Sequence, residues 1–179
     1  KGVLELYLGG EASGLAAADL LYGKVNPSGR LAETFPVCLE DTPVYPYYGV
    51  EKEDVKYREG RLVGYRFYNT MNRKVLFPFG YGMSYTTFEY SNLEVERSEM
   101  LDDEQVHVSV NVTNTGKVKG KEVVQLYIQN HSEDEVRPLR ELREFQKIDL
   151  EPGETKKVSF TLGKRAFAEW NERMHDWYV

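Results

Sequence analysis

The sequence predicts a mostly-β chain whose second half folds as an antiparallel β-sandwich, entered through a short α/β segment and a long irregular stretch. Three observations predict it. Val106, Val108, Val110 and Val112 alternate strictly with His107, Ser109, Asn111 and Thr113, the two-residue period of a half-buried strand. Turn signals at Asn114-Thr115-Gly116 and Pro152-Gly153-Glu154 separate short apolar runs. Helical spacing is confined to one stretch near the N-terminus.

Residues 1–36 carry the α/β signals. An apolar run, Val3–Leu8, is followed by Gly9 and Gly10, and then Glu11 to Tyr22 place Leu15, Ala18 and Tyr22 on one helical face. Glu11 suits the positive end of the helix dipole in a first turn, and Gly23 stands where a left-handed C-terminal stop belongs. Asn26-Pro27-Ser28-Gly29 is a turn, because Pro fixes φ, Gly permits positive φ, and Asn and Ser bond the backbone locally. Leu31–Pro36 reads as extended.

Residues 37–84 lose all periodicity, too irregular for a helix and too long for an ordinary connection. The stretch nevertheless carries many large rings, among them Tyr45, Tyr47, Tyr48, Tyr57, Tyr65, Phe67, Tyr68, Phe77, Phe79 and Tyr81. Disordered linkers are poor in such residues, so this one is expected to wrap and pin to a larger surface.

Residues 85–179 carry the sandwich. Glu122–Gln129 has apolar residues too dense for one face, Leu142–Leu150 follows, and Lys157–Leu162 leaves the Pro152 turn; Phe167, Trp170 and Trp177-Tyr178-Val179 suggest two short strands around Asn171–His175. The spacing fits an immunoglobulin or fibronectin type III sandwich, which needs about seven strands where six are countable. A closing strand burying about four side chains contributes on the order of 6–12 kcal/mol before ordering costs, rivalling the net stability of a domain. The last strand is therefore expected from polypeptide outside these residues, or the edge to be covered otherwise.

Composition excludes several functions. A net charge of −6 and a pI near 5.2, with no Lys/Arg cluster clear of acids, argue against nucleic acid. No run of eighteen apolar residues suggests a membrane span, and no secretory leader is visible at Lys1–Tyr7. Cys38 is the single cysteine, which excludes an intrachain disulfide and leaves cytoplasmic and secreted locations equally open. His107, His131 and His175 lack partners at metal-ligand spacing, and Gly80-Tyr81-Gly82 is too short for a phosphate cradle, so no metal or cofactor is expected. The glycosylation triplets Asn111-Val112-Thr113 and Asn130-His131-Ser132 recur by chance.

Two blocks carry a resemblance. Tyr57-Arg58-Glu59-Gly60-Arg61-Leu62-Val63-Gly64-Tyr65-Arg66-Phe67-Tyr68 and Phe77-Pro78-Phe79-Gly80-Tyr81-Gly82-Met83-Ser84-Tyr85-Thr86-Thr87-Phe88 closely resemble glycoside hydrolase family 3 of the β-glucosidase type. Gly23-Lys24-Val25-Asn26-Pro27-Ser28-Gly29-Arg30-Leu31 looks like the end of that family's α/β sandwich domain. Val123–Ile128, Arg137–Leu142 and Leu150–Glu154 look like its fibronectin type III-like module. The resemblance implies the tail of the α/β domain at 1–36, a packed linker at 37–84 and the module at 85–179.

It also implies what is missing. The family's nucleophile is an Asp in a Ser-Asp-Trp-like motif on a barrel strand, whereas the only Asp-Trp pair here, Asp176-Trp177, follows His175 and reads as a strand-end pair. The family's acid/base Glu lies upstream of Lys1. No catalytic residue is expected in this segment, which would support the barrel and α/β domains of its own enzyme; the β-glucoside substrate would meet the parent active site, and a homo-oligomer remains open. Substrate-contact candidates are Tyr57, Glu59, Tyr65 and Arg66, with Gly60 and Gly64 allowing close backbone approach. Arg58, Arg61 and Arg66 suit Glu59 to an ion pair better than to acid catalysis. The plainer reading of the whole block is glue between linker and α/β domain. A stand-alone carbohydrate-binding or adhesion module, or a structural spacer, is the rival reading; the α/β signals of residues 1–35 argue against both.

Overall fold

The computed structural model describes residues 2–50, 54–101, 103–131 and 137–179; Ser132, the third member of the second triplet, lies outside them. Helix α1 spans Ser13–Leu21 and stops at Gly23, whose φ of +71° is the left-handed conformation expected of that glycine. Glu11 falls before the helix rather than in its first turn, which holds no acid. The predicted extended piece shortens to β1, Phe35–Pro36, which pairs with β2, Val75–Phe77, across the linker.

The linker is more ordered than its sequence suggests. A 3-10 turn at Leu39–Asp41 and a six-residue helix α2, Tyr65–Thr70, interrupt it. Helix α2 is too short to persist by propensity alone. It is entered from Gly64 at φ +57° and buries Tyr68, so tertiary packing holds it.

The sandwich has a three-stranded sheet, with β3 (Phe88–Val95) and β7 (Thr155–Gly163) flanking β4 (Gln105–Asn114), against a two-stranded sheet of β5 (Gly120–Ile128) and β6 (Glu141–Leu150). All pairs are antiparallel. The valine parity of β4 faces inward as expected: Val106 and Val112 are buried, and in register Val112 opposes Lys156 while Val110 opposes Val158. The core is Val112, Val124, Ile148, Leu150, Val158 and Phe160, contributed by both sheets. A short helix α3, Lys164–Phe167, leads to the predicted hairpin of β8 (Glu169–Asn171) and β9 (Asp176–Tyr178). Gly153, at φ +78°, makes the turn into β7 that Pro152-Gly153-Glu154 signalled.

Candidate functional site

The resembling blocks converge on one seam, where residues 26–31, 65–66 and 79–87 meet the end of the sandwich. Asn26 is its first clamp. Its Nδ2 donates to the Lys119 carbonyl at 3.0 Å, while its Oδ1 accepts from Ser84 Oγ at 2.9 Å and the Tyr85 amide at 2.8 Å. Tyr85 Oη then donates to the Leu20 carbonyl at 2.7 Å, fixing the end of α1 to the start of the sandwich. Leu31 and the 80–81 turn exchange backbone bonds of 2.8 Å each way. Gly82 lies so close to the Gly29 carbonyl that an added methyl would overlap it.

Arg30 enters the sandwich at this end. Its guanidinium pairs with Glu122 on β5, both side chains being nearly enclosed, and the other Glu122 oxygen accepts from Tyr90 Oη of β3 at 3.1 Å. Glu122 shares the inward parity of Val124 and Leu126, so a carboxylate at a core position of a strand was the sequence signal that could have found this pair.

Partial burial, and then the Glu122 carboxylate beside it, push the Tyr90 phenol above its ordinary range. A raised phenol stays neutral while that of the unfolded chain ionises. Its stabilising contribution is therefore complete below about pH 10 and is lost as pH rises from there through the folded value. Denaturant midpoints at about pH 9 and about pH 11 are expected to show an alkaline loss that Tyr90→Phe reduces; an unchanged loss in the variant would exclude this origin.

The outer face of β5 is covered too, which explains an apolar density that one face could not. Gln125 Nε2 donates to the Gly80 carbonyl at 3.1 Å, and Tyr127 Oη donates to Gln125 Oε1 at 2.7 Å. Tyr65 stacks on Phe79 at 4.5 Å between ring centroids and meets Tyr127 edge-on at 6.0 Å. Its hydroxyl accepts the Leu142 amide of β6 at 2.8 Å. Arg66 Nε lies 2.9 Å from Glu141 Oε1, and Arg143 takes Glu141 Oε2 at 2.8 Å.

Tyr65 and Arg66 thus brace the linker against the sandwich. Tyr57 and Glu59 stand apart from them, on a turn closed by the Leu62 amide to the Glu59 carbonyl at 2.9 Å, with Gly60 at φ +54°. Tyr57 is exposed and Glu59 half-buried. Arg61, from the same turn, pairs with Glu169 of β8, whose other oxygen takes Arg137 at 2.9 Å. Asp176 is exposed on β9, its carboxylate accepting the Trp177 amide at 2.7 Å. Among the described residues no three His, Cys, Asp or Glu side chains gather as a metal site, and no helix is long and apolar enough to cross a membrane.

Two regions of the chain match known families. Residues 1–85 match the glycosyl hydrolase family 3 C-terminal domain, and residues 122–179 match the fibronectin type III-like domain. Thermostable beta-glucosidase B of Acetivibrio thermocellus is 52% identical over 179 residues, all of this chain and 24% of that protein. An exo-alpha-(1->6)-L-arabinopyranosidase of Bifidobacterium breve is 42% identical, again over the whole chain and 23% of that protein. The crystal structure of a Bifidobacterium adolescentis GH3 beta-glucosidase superposes with a TM-score of 0.86 at 41% identity, covering 93% of this chain and 24% of that one. Beta-glucosidase 3B of Thermotoga neapolitana, solved with alpha-D-glucose, gives 0.83 at 40% identity, covering 92% and 23%. The chain thus spans about a quarter of the length of the curated relatives it matches.

Proposed function

Since the chain belongs to glycoside hydrolase family 3, as part of its C-terminal region and not its catalytic barrel, we propose that its enzyme hydrolyses terminal β-linked glucosyl or related residues by a retaining mechanism. Within that enzyme Lys1–Val179 is a non-catalytic scaffold. Retaining hydrolysis needs two carboxyl groups about 5–5.5 Å apart, one free to attack and one free to pass a proton. The observation that carries the scaffold reading is how three carboxylates, two at the seam and one on β8, are occupied. Glu122 is held by Arg30 and Tyr90, Glu141 by Arg66 and Arg143, and Glu169 by Arg61 and Arg137. Each of the three carboxylates is engaged from two sides by groups of this chain, which suits it to bracing rather than to meeting an anomeric carbon or a leaving group.

The domain reading proposed from the sequence follows the same logic. Residues 1–36 act as the tail of an α/β domain, 37–84 as the strap, and 85–179 as the module that the strap fastens. Tyr65 and Arg66 serve as braces. Tyr57 and Glu59, on the exposed turn, are the two candidates left with surface to offer the active-site domains. Relatives named as a glucosidase and as an arabinopyranosidase share this region at similar identity, so sugar choice is assigned to residues outside it.

An aryl β-glucoside separates the claims. The complete enzyme is expected to release the aryl group and the 179-residue chain to match buffer. Turnover by the chain would end the scaffold reading, and inactivity of the complete enzyme on both aryl β-glucosides and aryl α-L-arabinopyranosides would end the hydrolase reading. Tight calorimetric binding of a soluble β-glucan by the chain would favour a carbohydrate-binding module instead.

A further inference from the structure

Glu169, the first residue of β8, joins three parts of the chain through one carboxylate. Arg61 reaches it from the turn of the linker, and Arg137 reaches its other oxygen at 2.9 Å from the approach to β6. The backbone beneath the carboxylate is fixed on both sides. Buried Ala168 closes α3 with an amide bond of 3.1 Å to the Lys164 carbonyl, and Glu169 itself pairs with Tyr178 across the hairpin. The acid is 15% exposed and Arg61 45%, so Glu169 is the fixed member of the pair and the linker side chain is the held one. Within the turn the bonds are local: the Gly60 amide donates to the Tyr57 carbonyl at 3.4 Å, and the Leu62 amide to the Glu59 carbonyl at 2.9 Å. Leu62 is buried and seats the far end of the turn, while Tyr57 at the near end is 81% exposed.

We infer that Glu169 is a positioning residue for the reaction: acting through Arg61, it sets where the 57–62 turn presents Tyr57 and Glu59 to the active-site domains. The inference deepens the proposed function and rests on its reading that this turn meets those domains. The chemistry of the contact suits the task. A guanidinium against a carboxylate fixes orientation as well as distance, because its donors lie in one plane, and a second guanidinium on the other oxygen resists rotation of the acid. A pair with one member nearly half exposed adds little to stability, so what it supplies is geometry. The module thereby holds a linker surface in place from a hairpin, apart from the seam that fastens the linker itself.

Hydrogen exchange and steady-state kinetics on the complete enzyme test this together. Glu169→Gln keeps the size of the side chain and removes its charge. The Gly60 and Leu62 amides are expected to exchange about tenfold faster in the variant, and KM for the aryl β-glucoside to rise about three- to tenfold with kcat unchanged. Arg61→Met is expected to raise KM alike and the double variant no further, because both act through one bond. A lowered melting temperature with both the exchange and KM unchanged is what a purely structural residue would give, and it would overturn the proposal; so would additive effects of the two substitutions. Unchanged exchange overturns it whatever sugar the enzyme cleaves. Tyr57→Ala keeps the two readings apart. If it raises KM and Glu169→Gln does not, the turn meets the active-site domains and only the role of Glu169 falls. If neither variant moves KM, the turn lies away from the substrate and the inference falls with the reading beneath it.

Discussion

Arg30→Met is expected to destabilise the fold by about 3–5 kcal/mol, because it strands the Glu122 carboxylate in the end of the sandwich without its counter-charge. The size follows from enclosure. The two side chains are 12% and 10% exposed, so solvent screens the pair little. An exposed ion pair such as Lys157 with Glu94 on the outer face is screened by water and contributes far less. Glu122→Gln is expected to be costly for the mirror reason, leaving a guanidinium unpaired and Tyr90 Oη with a weaker acceptor. The double variant Arg30→Met, Glu122→Leu should recover most of the loss, since replacing both members of a buried pair with packed apolar groups is often near neutral. Denaturant midpoints of the three variants decide the matter. Single variants below about 1 kcal/mol would mean that water reaches the pair and that the seam is looser than its geometry implies. Because Arg30 precedes the linker by sequence and meets the sandwich in space, the Met variant should also expose residues 37–84 to limited proteolysis.

The parts of this arrangement that the sequence disclosed are those whose signal is local. The period of β4, the stop at Gly23 and the turn at Gly153 each depend on neighbours within a few residues, and each stands where its residues indicated. The sandwich class followed from such pieces, and the motif blocks placed it in a family. The seam was not legible in the same way. Tyr65 meets Leu142, 77 positions away, and Arg30 meets Glu122, 92 positions away. No periodicity encodes a partner at that separation. The block around Tyr65 reads as glue, yet its adhesive face turns to β5 and β6 of the sandwich, a target that the α/β reading did not name. Helix α2 escaped for a related reason: six residues rich in aromatics have little intrinsic helicity, and only the burial of Tyr68 stabilises the turn. The density of Glu122–Gln129 was visible but ambiguous, since a strand covered on both faces looks the same whether its second cover is a sheet or a strap.

Asn114 shows how far a single turn residue reaches. The sequence marks it as the start of Asn114-Thr115-Gly116 and nothing more. In the fold its side chain is fully buried and all of its capacity is used. Nδ2 donates to the carbonyls of Val118 at 2.9 Å and Leu150 at 3.1 Å, and Oδ1 accepts from Thr86 Oγ1 at 2.6 Å and the Gly116 amide at 3.1 Å. Its backbone joins Glu154 and Gly153 with bonds of 3.0 and 2.9 Å. One amide group therefore ties the β4–β5 turn, the β6–β7 turn and the strand entering from the linker. Asn114→Leu conserves volume but leaves two donors and two acceptors bare, at about 1–3 kcal/mol for each group that water cannot reach, so a loss of about 3 kcal/mol or more is expected. Asn114→Asp isolates the electrostatic part. It keeps the acceptor and replaces the donor with a carboxylate oxygen facing two carbonyls, which disfavours the charged form and raises the introduced acid above its unfolded value. The sign then follows: stability is greatest below the unfolded value near about pH 4, where the protonated acid can donate one bond, and is lost as pH rises through the folded value. Relative to the native chain, the Asp variant should recover in acid while the Leu variant does not. Parallel pH profiles for the two would show that the turns are held by shape rather than by this amide.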